Sequence, residues 1–305
     1  MAYLAVCLPS AVFGLNTEWS AVLLAAVTAF VTALVAAPIR LAVDKRLQRS
    51  QVEIEYEHEQ RKALREKIGL YHGRLLEAAL DLNYRLVNLC VNWEQGWLDV
   101  GGDFQAAPPA HHYLRSTAFR FIRLAGVADR FERTAIVVDA RIAAQTDQAF
   151  VRYPKAFRWV MTDVALFKGL EYDPSKTTDH FFNEQLRQMC GLAWGSAEEL
   201  EFTAFEKLVV STEDLNELFE FFEGIKPGQL RWDRLMSLHL LLMAFINTFG
   251  YDFQRSDARW FDQVIEKIDH REVVEALRIW IPKLGLGEDK GTKELVAALD
   301  RGLSP

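Results

Sequence analysis

The chain has 305 residues, half of them hydrophobic and a quarter charged, with 20 Phe, 8 Trp and 8 Tyr. That is too apolar and too aromatic for a disordered chain, and long enough for one large domain or two small ones. The net charge of −7 excludes a globally basic nucleic-acid binder, and the three isolated cysteines, Cys7, Cys90 and Cys190, form no zinc pattern and suit a reduced compartment.

Residues 1–18 are apolar but broken by Pro9 and Gly14, so they read as a short extracytoplasmic segment. Residues 19–39, WSAVLLAAVTAFVTALVAAPI, carry no charge and match the length of a membrane-spanning helix. Asn16 and Thr17 are suitable N-caps, Trp19 stands where an interfacial aromatic belongs, and Pro38 lies near the far end. A signal peptide would have a basic leading region and a shorter apolar core. Arg40, Lys45, Arg46 and Arg49 follow the run, whereas no Lys or Arg precedes it. The positive-inside rule therefore predicts an outside N-terminus and a cytoplasmic body, at the inner membrane if the source is bacterial. Ala21, Ala25, Ala29 and Ala33 recur every fourth residue, so one face is small enough for two spans to approach closely. An Ala-rich span that stays alone is the alternative.

Residues 40–95 read as a charged helical stalk, dense in residues that can pair at four-residue spacing. Within it, residues 64–93 carry a heptad: Leu64, Ile68, Tyr71, Leu75, Ala79, Leu82, Leu86, Leu89 and Trp93. This stripe can join two chains or pack on the protein's own helices. Gly69, Gly73 and Asn83 weaken an isolated coil and favour the second. Residues 96–110, rich in Gly and Pro, form a loop.

Residues 111–305 read as a helical cytoplasmic domain with no alternating strand, so the fold class is all-α. Helices are expected at 111–126, 129–151, 155–170, 176–194, from Ser196, from Thr212 to Gly224, at 229–249, at 256–281 with a break near Asp269, and at 292–301. Pro154 and Pro282 are taken as stops. The phenylalanines from Phe181 to Phe222 recur at three- and four-residue spacing, which means core.

The densest polar pattern is HHYLRSTAFRFIRLAG. On a helix His112, Ser116, Arg120 and Arg123 share a face, and two guanidiniums beside a hydroxyl and an imidazole can hold a phosphate or carboxylate. Asp139 and Asp163 sit among apolar neighbours and need partners, for which these arginines are the obvious choice. A structural Arg–Asp network is the expected outcome and a ligand pocket the alternative. His111-His112 lacks a third metal ligand, Asp179-His180 and Asp269-His270 read as helix starts or surface, and no metal or cofactor site is expected. No phosphate loop, dinucleotide fingerprint, HExxH or nucleophile elbow is present.

Arg234 and His239, in RLMSLH, have the RxxxxH spacing and so resemble the motif of HEPN-type helical ribonucleases. That resemblance implies RNA cleavage by the pair at a dimer cleft. It covers these two residues alone, and Leu235 replaces a usual polar residue. Flanking Leu235, Met236, Leu242 and Met243 favour a core histidine. The expected function is non-enzymatic: a single-pass membrane sensor, effector or assembly module, of a kind suited to bacterial phage defence or stress response. The alternatives are a membrane-tethered HEPN-like ribonuclease and a scaffold docking a cytoplasmic protein. The expected partners are the lipid bilayer, a second copy through the small face or the heptad, and an unidentified protein; nucleic acid is not expected.

Overall fold

The computed structural model describes residues 17–135, 143–176, 178–194 and 201–304, with the backbone alone described at 17–20, 35, 37–42 and 193. Among these residues every regular element is helical: α1 (Thr17–Asn92), α2 (His112–Ala135), α3 (Gln145–Thr162), α4 (Asn183–Ala193), α5 (Phe202–Ser211), α6 (Asn216–Phe222), α7 (Leu230–Phe249), α8 (Ala258–Ile265), α9 (Arg271–Lys283) and α10 (Lys290–Leu303). The chain divides into two units, Met1–His58 and Glu59–Pro305, and α1 contributes to both.

In the first unit the side chains of residues 21–34 are all exposed, among them Leu24 at 73% and Phe30 at 68%. Thr28 and Thr32 donate their hydroxyls to the carbonyls of Leu24 (2.6 Å) and Thr28 (2.7 Å), so neither needs an outside acceptor. Among the described residues no helix is long and apolar enough to cross a membrane. The run with described side chains, 21–34, is shorter than the roughly 20 residues that a span requires.

The second unit is built around α7, in which every residue from Trp232 to Asn247 is buried. A helix apolar on all sides belongs inside a core, and α3, α8, α9 and α10 pack against it. The heptad of α1 belongs to the same core. Leu64, Leu75, Ala79, Leu82, Leu86 and Leu89 are at most 3% exposed within the single chain. Most of the stripe is thus covered within the single chain, the second of the two arrangements that the heptad allows. Gly69 and Gly73 lie on the open side, where an added Cβ would meet nothing.

Local signals were overridden at three places. Pro154 lies inside α3 and is buried. It removes the one hydrogen bond to the carbonyl of residue 150, while Phe150, Tyr153 and Phe157 on either side pack on Phe245 of α7. Pro282 sits in the last turn of α9, and the chain breaks between α8 and α9 around Asp269, as the sequence suggests. The buried carboxylate of Asp233 forms that joint. It accepts hydrogen bonds from the backbone N–H of Asp269 and of His270, both 3.0 Å, and lies 2.7 Å from Nδ1 of His270. Finally, α2 runs through Gly126 to Ala135, and α4 begins at Asn183 because His180 and Phe181 are drawn into the core instead. The expected helix from Ser196 starts outside the described residues, and α5 follows at Phe202.

Candidate functional site

The polar face of α2 comes together, but its partners are on α1. Arg123 pairs with Asp81 (2.8 Å) and Glu77 (3.2 Å), both one turn apart on α1. Ser116 is buried and accepts from Arg85 Nη2 at 2.9 Å, while its own hydroxyl reaches the Tyr113 carbonyl. Arg120 donates to the Ser116 carbonyl (2.9 Å), and Arg85 lies over the Tyr113 ring at 4.1 Å. Burial, and then the neighbouring Arg85, lower the pKa of Arg120. His112 is exposed and meets the edge of Phe202. The arrangement joins two helices by charge-assisted hydrogen bonds in which most groups already have protein partners.

The expected acids are placed differently. Asp163 does not pair with α2. Its carboxylate accepts from the backbone N–H of Ala165 (2.8 Å) and caps the short turn Val164–Phe167. Asp139 lies outside the described residues. Two arginines that the spacing argument passed over as anchors are the most deeply buried cations among the described residues. Arg115, 1% exposed, donates to the carbonyls of Phe104 (2.9 Å) and Ala106 and so pins the loop of residues 96–110 to the body. Its position one residue after Leu114, on the buried side of α2, was the available signal.

Arg234 is fully buried and donates to three main-chain carbonyls: Asp179 (2.7 Å), Asp163 (3.1 Å) and Val160. Its guanidinium also lies over Phe167 at 4.4 Å. Burial pulls its pKa down to about 10, so it stays charged near neutral pH. His239 points elsewhere, because five residues along a helix turn the side chain through roughly 140°. It is 1% exposed, with Nδ1 3.8 Å from the Cys90 sulfur and no partner for Nε2. Arg234 and His239 thus share no surface on which an RNA phosphate could sit. The arginine is a carbonyl clamp and the histidine a core residue.

A cavity between α2, α3 and α4, lined by Glu132, Arg158, Phe157 and Cys190 among others, has about 30 Å3 of room, little more than one water occupies. Burial raises the pKa of Glu132, and its pairing with Arg158 opposes that. Among the described residues no three His, Cys, Asp or Glu side chains gather as a metal site. No protein family, curated protein or solved structure matches the chain.

The buried histidines make stability depend on pH. Burial alone pulls the pKa of His239 down to about 3, and it also lowers those of His72 and His180. An unfolded histidine titrates near 6.5. Below that pH the unfolded chain takes up a proton that folded His239 refuses, so stability falls with pH by about 1.4 kcal/mol per unit. Melting temperature should drop more steeply between pH 7 and pH 5 in the wild type than in His239→Leu, with the carboxyl contributions cancelling in the comparison. Equal slopes would show that His239 carries none of this linkage.

Proposed function

We propose that the chain is a membrane-anchored helical protein that acts by assembling or docking at a bilayer rather than by catalysis. The observation that carries this reading is the girdle of apolar side chains at residues 21–34, exposed on every side of one helix. A partner helix covers one face; lipid covers all of them. The uncharged sequence continues to residues 19–39, which reaches the length of a span. The cations that follow it orient the N-terminus outward and residues 111–305 toward the cytoplasm. Ala21, Ala25, Ala29 and Ala33 offer a close-approach face for a second copy, beside threonines whose hydroxyls are already satisfied. A polar α1–α2 face that is engaged with itself supports a structural role for the body over a catalytic one. A bacterial membrane effector relaying assembly of its body to its spans, in phage defence or stress response, suits this architecture by analogy.

Alkaline carbonate extraction of membranes containing the full chain tests the anchor. The wild type is expected to stay in the pellet, and Val27→Arg with Val31→Arg to move to the supernatant, because each arginine costs about 2.5–3.5 kcal/mol near a span's centre. Release of the wild type by carbonate would remove the anchor from this reading.

A further inference from the structure

Three sulfur and nitrogen donors from distant parts of the sequence meet where the end of α1 crosses α7. Cys90 Sγ lies 3.2 Å from Met236 Sδ and 3.8 Å from His239 Nδ1. Met236 and His239 are three residues apart and so share one face of α7. The imidazole has no other partner: Nε2 is buried with none, and the ring is 1% exposed. Cys90 is only partly buried.

We infer that Cys90, Met236 and His239 form a binding site for a soft monovalent metal ion of the copper(I) type. Thiolate and thioether donors select copper(I) over harder ions, and imidazole completes a trigonal set. Metal–sulfur bonds of roughly 2.3 Å and metal–nitrogen bonds of roughly 2.0 Å at trigonal angles place the donors about 3.7–4.0 Å apart. The Cys90–His239 separation already has that value, and the flexible Met236 side chain must open its 3.2 Å contact by about 0.8 Å.

The charge balance is simple. Cys90 gives up its thiol proton as the sulfur–metal bond forms, His239 contributes a lone pair, and the resulting thiolate neutralises the cation; no electron is transferred. One proton therefore leaves per ion.

The test is anaerobic titration of the detergent-solubilised full chain with copper(I) against a bicinchoninate competitor, with circular dichroism to verify folding of each variant. The wild type should hold a single equivalent and develop near-ultraviolet thiolate-to-copper absorption. Cys90→Ser should abolish both. Met236→Leu, which keeps the volume, should weaken binding by more than the roughly tenfold to hundredfold that loss of an outer-shell partner costs. X-ray absorption should find two sulfurs and one nitrogen. Failure of the folded wild type to compete, or unchanged binding in folded Cys90→Ser, would overturn the assignment; the latter would place the ion on another cysteine.

Discussion

Replacing Arg234 with alanine is expected to destabilise the helical body by about 3–5 kcal/mol, the range for breaking a buried charged contact. The side chain is fully buried and its three hydrogen bonds go to main-chain carbonyls. Those carbonyls belong to the end of α3, the turn after it and the segment before α4. The arginine therefore holds the path of residues 160–180 against α7. Alanine leaves three unpaired acceptors and a cavity, each costly by itself. Lysine keeps the charge but offers one ammonium where a planar fork reached three directions, so Arg234→Lys should recover part of the loss and no more. Urea denaturation of the two variants measures this, and limited proteolysis should find new cleavage within residues 163–182. A variant as stable as the wild type would show that the clamp contributes nothing.

Gly291→Ala should be comparably damaging for a different reason. α10 crosses α7 so closely that a Cβ at Gly291 would overlap the Ala244 carbonyl oxygen and come within 2.7 Å of Thr248 Oγ1. Backbone cannot rotate out of the way as a side chain does. The same contact carries the Gly291 N–H bond to Thr248 (3.0 Å) and the neighbouring Tyr153–Asp289–Thr292 network, whose bonds are 2.9 and 2.8 Å. Moving α10 outward breaks them together. Overpacking costs typically 1–3 kcal/mol, and the lost hydrogen bonds add about 1 kcal/mol each. A fall in melting temperature of roughly 10 °C is expected for a body of this size. Gly69→Ala is the control: its Cβ meets nothing, so removing a helical glycine should raise stability by about 0.5–1 kcal/mol. Similar melting temperatures for Gly291→Ala and the wild type would mean that the crossing can relax without cost.

The elements that were legible are those whose own composition decides them. α7 was visible within a residue of its bounds because its second half is apolar on every side and Gly250 follows. The joint near Asp269 was visible too, whereas α10, expected from Thr292, starts two residues earlier at Lys290, where Asp289 caps it and accepts from the Thr292 N–H. Pro154 was misread because proline's local preference weighs less than the aromatic packing around it. The heptad was real, yet a period records only that one face is covered and not by what; burial of Leu75, Leu82 and Leu86 inside the same chain answers that. The site residues were less legible still. Spacing grouped Arg234 with His239, but helix geometry sends them to different neighbours. Cys90 meets His239 across 149 positions of sequence, and no local pattern reports such a meeting.

The heptad's burial also makes the length of α1 between Leu75 and Leu89 a fixed quantity. Each residue inserted there turns everything beyond it by about 100°. A single inserted residue would swing Leu82, Leu86 and Leu89 toward solvent and bring polar neighbours such as Tyr84 and Asn88, which are exposed, toward the core. Insertions of three or four residues restore the phase to within about 60°, and eleven residues, close to three whole turns, restore it almost fully. The segment is thus intolerant of single-residue length change in a way that the loop of residues 96–110 is not, although the loop looks the more conspicuous boundary.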